Sequence, residues 1–215
     1  MTGTTNDLTR HDGRGGRAGA RGLDRLATVL TEAASPFVLV AVVLVVVAVH
    51  TDPHWARSAL LTVVPIAVVP QAISLVMTHR KVVTDKFIVH RTQRHLFYAL
   101  ALGSILLGAA LAFLVPTGTV MRAAVVLAVG TLLVVMALNT RIKVSVHALI
   151  GALTAVVVPA VAGAWTLLAV LVPLWFGVSW SRVRLARHEP AEVVLGSIVG
   201  IVVGLAFCGW TGVAG

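Results

Sequence analysis

Apolar residues occur along this chain in long blocks rather than in alternation. After some twenty polar positions, blocks run at roughly 33–50, 56–77, 96–114, 120–138, 145–163, 165–179 and 191–210. A helix needs about 20 apolar residues to cross a ~30 Å hydrocarbon core. A segment apolar all round has no face for water and belongs in lipid or in a core. The pattern therefore predicts an all-α, polytopic membrane helix bundle of about six to seven transmembrane helices, with the fifth and sixth blocks short. Pro65 and Pro70 fall inside the second block, where a kink is expected. Residues 1–22 are rich in Gly, Arg, Thr and Asp and read as a disordered basic tail. An amphipathic turn from Leu23 to Glu32 leads into the first block, so the membrane domain is taken as 23–215.

The breaks between blocks fall into two kinds. Those near 51–55, 116–119 and 163–164 are short and nearly uncharged. Those at 79–95, 139–147 and 180–192 are polar and basic. Each polar break is separated from the next by one helical hairpin. Two crossings return a chain to the side it left, so all three polar clusters are expected on one face, converging on one site.

Composition narrows the class. The chain of 215 residues is 58% hydrophobic and 12% charged, with a mean hydropathy of +0.97. That excludes a soluble domain with a large core. The net charge of +9 does not point to nucleic acid, because the cations stand at helix ends rather than on a soluble face. The expected partners are membrane lipids. Cys208 is the single cysteine, so an internal disulfide and a cysteine metal site are excluded. The spacing of His50, His54, His79, His90 and His95 offers no metal site, and no cofactor is expected. No cleavable signal peptide is evident. Trp165, Trp175, Trp180 and Trp210 fit an interfacial belt, and the Gly and Ala of the spans suit close helix packing.

The chemistry concentrates in the run from Trp180 to Glu192. Charge at the mouth of a membrane bundle is costly to hold and asks for a function. Pro190 suits the first turn of a helix that carries Glu192, four residues after His188. A carboxylate one turn from an imidazole can fix its tautomer and stabilise its cation. Arg182 presents a guanidinium fork matched to phosphate. The competing reading is a basic loop flanking a membrane helix, and Lys143, Arg184 and Arg187 read most simply as membrane-surface charges.

Ser181-Arg182, five residues, His188, three residues and Glu192 resembles the third signature of the type 2 phosphatidic acid phosphatase superfamily, with Glu in place of Asp. Upstream, Val144-Ser145-Val146-His147 stands where that family has Pro-Ser-Gly-His. The first signature, a Lys, six residues, then Arg-Pro, is matched by Lys86 and Arg94, one residue too far apart and with no Pro after them. The resemblance covers residues 85–200. It implies a membrane phosphatase in which His188 is the nucleophile, forming a phosphohistidine, Glu192 orients its ring and His147 protonates the leaving alcohol. Arg182, Arg94 and Lys86 would bind the phosphoryl oxygens, with Arg91 competing for the place of Arg94. Ser145 and the backbone at Val146 would add donors at a helix N-terminus, and the Val146 side chain would sit beside the phosphate. The implied substrate is a lipid phosphate, or an isoprenoid phosphate or diphosphate. A relative that has lost turnover and serves in binding or structure is the alternative, and a transporter with a basic mouth is a further one. Arginines 10, 14, 17, 21 and 25 of the tail and the cations of the three clusters, against Arg57 and Arg122 on the other face, place the site on the cytoplasmic face of the plasma membrane by the positive-inside rule.

Overall fold

The computed structural model describes residues 8–80 and 94–213. Among them there is no strand. The helices are α1 (Leu8–Ala33), α2 (Pro36–Thr51), α3 (Trp55–Val63), α4 (Val69–His79), α5 (Arg94–Leu114), α6 (Thr119–Arg141), α7 (Val146–Ala162), α8 (Leu168–Arg184) and α9 (Pro190–Thr211). Among the described residues five spans are long and apolar enough to cross a membrane: Trp55–His79, Leu96–Leu114, Thr119–Asn139, Trp165–Arg184 and Pro190–Thr211. The pair α1–α2, bent by 42°, makes a sixth if taken as one span. These helices point to a membrane protein.

Local sequence explains the breaks. Ser35 accepts a hydrogen bond from the Val38 amide at 3.4 Å, and Pro36 takes the first helical position, so α2 restarts at an angle to α1. Pro65 falls in a π-helical turn, Val64–Val68, which joins α3 to α4 without ending the span, and Ser104 of α5 donates to the Pro65 carbonyl at 2.6 Å. The kink expected from the prolines is thus a widened turn whose carbonyl is satisfied by a neighbouring helix. Helix α1 starts at Leu8, so the helical run of Leu23–Glu32 extends back through residues 8–22.

Helix α7 is the centre of the bundle. It is apolar apart from His147 and Thr154, and twelve of its 17 residues are buried. A helix wrapped by protein need not match the bilayer thickness, which is why it is shorter than the other spans. Helix α9 lies against it with almost no side-chain layer between them. A Cβ on Gly196 would stand 2.5 Å from the Ser145 carbonyl oxygen, and one on Gly200 only 2.1 Å from that of Leu149. Gly204 continues the same stripe against Val156. Trp175 departs from the interfacial belt expected of it: its ring packs on Gly151 of α7, and its indole N–H donates to Ser197 of α9 at 3.1 Å. Trp165, Trp180 and Trp210 are exposed.

The two ends of the bundle differ as the breaks foretold. At one end Asp52 ties two turns together, accepting from the Ser58 hydroxyl, the His54 amide and the Gly118 amide. Arg57 donates to the Pro116 carbonyl there. At the other end the start of α5 meets the end of α6, where Asn139 donates to the Tyr98 hydroxyl at 3.1 Å and accepts from the Val144 amide at 3.2 Å. The starts of α7 and α9, the ends of α1 and α8, and the polar residues of two clusters share this second end.

Candidate functional site

The site is built on the last turn of α8. Arg182 is 1% exposed, the largest fully buried side chain among the described residues. Its carbonyl accepts from the amides of Arg187, at 3.0 Å, and His188, at 3.2 Å. This fold-back requires Ala186 to take a left-handed backbone, with φ 50. A residue with a Cβ is strained there, and such strain collects at functional turns. The turn delivers His188 beside the helix end that holds Arg182. Two side chains of α1 fasten the same turn of α8. The Ser181 hydroxyl donates to the Val178 carbonyl, so the Thr31 hydroxyl donates to Ser181, at 2.6 Å. Arg184 meets Asp24 at 2.9 Å, an exposed pair of small energetic weight.

His188 and Glu192 form the pair that their spacing predicts. Nδ1 of His188 lies 2.7 Å from Oε2 of Glu192. With its Nδ1 proton given to the carboxylate, the ring keeps its Nε2 lone pair. The same Oε2 accepts from the Glu189 amide at 3.2 Å, so Glu192 also caps the helix that carries it. Burial pushes the His188 imidazole down to about 4, against the opposing hydrogen bond from Glu192, and the nearby charges of Arg182 and Lys143 push the same way. At neutral pH this imidazole is therefore uncharged.

Lys143, read from sequence as a surface charge, is part of the cluster. Its Nζ donates to the Arg187 carbonyl at 2.7 Å and lies 3.7 Å from Oε2 of Glu192. His147, in the first turn of α7, is 4% exposed and hydrogen-bonded to the backbone of Thr31. Ser145 is fully buried, and its amide donates to the Glu192 carbonyl at 3.2 Å. It sits in the contact between α7 and α9 rather than on a cavity wall. Lys86 and Arg91 lie outside the described residues, and of Arg94 only its place as the first residue of α5 is described.

A cavity of about 230 Å³ opens beside this cluster. Arg182, His147 and His188 form its polar end, and Val146 lies next to them on the wall. From there it runs between α2, the α3–α4 span, α5, α6, α7 and α9, largely along Val, Leu, Ile, Ala and Phe side chains. No stretch of the sequence signals it, because its walls come from helices spread along the chain. No group of three or more metal-ligating side chains occurs among the described residues.

An anion would meet at this end a buried guanidinium, two imidazoles and the N-terminus of α7. Its apolar substituent would continue into the cavity. Comparison of the chain with protein-family models, with curated proteins and with solved structures finds no match.

Proposed function

We propose that this chain is an integral membrane phosphatase, related to the type 2 phosphatidic acid phosphatases, which hydrolyses a lipid or isoprenoid phosphate or diphosphate through a phosphohistidine. The observation that carries the reading is the buried Arg182 standing with His188, His147 and the His188–Glu192 pair at the polar end of an otherwise apolar cavity. The planar guanidinium fork of Arg182 matches the oxygens of a phosphate. The cluster offers each part that phosphoryl transfer asks for: a cation, a nucleophile and an acid.

In the first step Nε2 of His188 bonds to phosphorus as the bond to the leaving oxygen breaks, and His147, entering as the imidazolium, gives that oxygen a proton. Glu192 holds the ring through Nδ1 and offsets the charge that develops on it. Arg182 holds the phosphoryl oxygens. In the second step water attacks phosphorus, His147 takes its proton, and the P–N bond breaks to restore neutral His188 and release inorganic phosphate. Glu in the place of the family's Asp still reaches the ring, at 2.7 Å. We assign the site to the cytoplasmic face of the plasma membrane, on the charge asymmetry of the sequence.

The test is phosphate release by purified protein from a panel of lipid phosphates, with His188→Ala alongside. Turnover should fall in the variant by several orders of magnitude with the fold retained. Residual activity above about a tenth of wild type would remove His188 from the nucleophile's role. A bundle that transports charged solutes is disfavoured, because the buried charged side chains among the described residues, Asp52 and Arg182, sit at the ends of the bundle rather than midway.

A further inference from the structure

The shape of the cavity bears on the apolar part of the substrate, an inference that rests on the phosphatase reading of its polar end. Its depth comes from helix geometry. On α7 the wall runs from His147 to Val157, about ten residues or ~15 Å at 1.5 Å per residue. That is about half the thickness of a hydrocarbon core. Its deepest wall positions include Leu44 of α2 and Ala124 of α6. One turn further from the site stand Val47, Ala48 and Met121, each 0% exposed and packed in one core cluster with Leu44 and Ala124. The width comes from volume. A cavity of ~150 Å³ holds a benzene ring. About 230 Å³ then holds on the order of ten carbon atoms, one short chain, and cannot hold two acyl chains.

We propose that the substrate is a single-chain phosphate whose chain, of about ten to twelve carbons, enters the bundle tail-first until its phosphate reaches Arg182, with Met121 setting the limit of length. Bilayer and cavity are equally apolar, so a chain that fits gains little from the transfer. A chain that is too long or double is held back because its phosphate cannot reach the guanidinium. Selectivity therefore appears as a loss beyond a fitted length. The chemistry leaves two sources for the chain, an unbranched alkyl or acyl group and a prenyl group.

The experiment uses the full chain in lipid nanodiscs. Phosphate release is measured from n-alkyl phosphates of six to eighteen carbons, from geranyl and farnesyl phosphates and from a two-chain phosphatidate. The expected kcat/KM falls at least tenfold from the ten-to-twelve-carbon members to the eighteen-carbon one, and phosphatidate is poorer still. The geranyl and dodecyl arms tell the prenyl source from the alkyl. Ala124→Phe should move the optimum to shorter chains. Met121→Ala should move it to longer chains, a gain that a damaged fold cannot imitate. Binding of n-alkylphosphonates over the same lengths, which needs no turnover, is measured in parallel. A length cut-off in binding with no phosphate release from any member would overturn the phosphatase reading and leave the cavity's role standing. Equal turnover through eighteen carbons, or phosphatidate as good as dodecyl phosphate, would overturn the proposal while leaving the phosphatase. So would an unmoved optimum in both variants.

Discussion

The contact between α7 and α9 offers the strongest lever on this structure, and we predict that Gly200→Ala uncouples the site. The added methyl would stand 2.1 Å from the Leu149 carbonyl oxygen, 2.9 Å from its carbon and 3.0 Å from the Ala152 Cβ. Two of these three atoms are backbone, so no rotamer change relieves them. Ordinary contact begins near 3.4 Å, and the helices must therefore part by about 1.3 Å. Overpacking of this kind costs roughly 1–3 kcal/mol. The functional cost comes from the other end of α9, where the Ser145 amide meets the Glu192 carbonyl at 3.2 Å and Glu192 meets His188. A displacement of about 1 Å at a reacting centre can cost ~10²-fold in rate. Gly209→Ala is the matched control on the same helix, since its Cβ would meet nothing within 4 Å. Thermal unfolding in detergent and kcat/KM on a lipid phosphate read the two effects. Gly200→Ala should lose about a hundredfold in kcat/KM and melt lower, with Gly209→Ala unchanged. If Gly200→Ala kept its melting temperature and activity within twofold of wild type, α9 would not lie this close to α7.

Further predictions concern the imidazole, its carboxylate, the strained turn and the sidedness. The His188 ring should stay neutral well below pH 6.5 and take up its proton near 4, as read by nitrogen NMR of labelled histidine; a midpoint between 6 and 7 would refute its burial. Rate profiles serve less well, because a phosphate monoester itself titrates near 6. The unfolded histidine binds its proton first, so its contribution to stability is complete above pH ~6.5 and is lost as pH falls towards 4. Glu192→Gln should lose most activity and Glu192→Asp keep a substantial part; full activity in the Gln variant would reduce Glu192 to a helix cap. Ala186→Gly should stabilise the protein by about 1 kcal/mol in thermal unfolding, because glycine adopts the left-handed backbone without strain; no gain would contradict that turn. In a Cys208→Ser background, a membrane-impermeant thiol reagent applied to intact cells should label Thr117→Cys and not Glu189→Cys; the reverse pattern would place the site outside.

How much of this was legible in the sequence depends on the range of the interaction. The apolar blocks and their breaks announced the helices, because each is a local pattern. The His188–Glu192 pair was readable for the same reason: four residues on one helix entry fix the distance. Lys143 was misread as a surface charge because its two partners lie on the α8–α9 turn and in the first turn of α9, more than forty residues on. Thr31 was missed altogether, since nothing local to α1 tells that its hydroxyl meets Ser181 at 2.6 Å. The glycines of α9 were noticed as packing residues, but which carbonyls they meet is a tertiary fact. The cavity is the extreme case, a shape left between helices spread along the chain. Tail residues 8–22 carry the glycines and polar residues of a disordered segment, and the helix that follows them extends back through that stretch.

Everything in the proposed mechanism turns on His188 carrying the phosphoryl group. Its most direct test is rapid acid-free quenching of the protein during turnover of a radiolabelled lipid phosphate, followed by mapping of the labelled peptide. The expected result is an acid-labile, base-stable phosphoramidate on the peptide containing His188, absent from His188→Ala. Phosphate release with label on no histidine, or with label retained in His188→Ala, would contradict it.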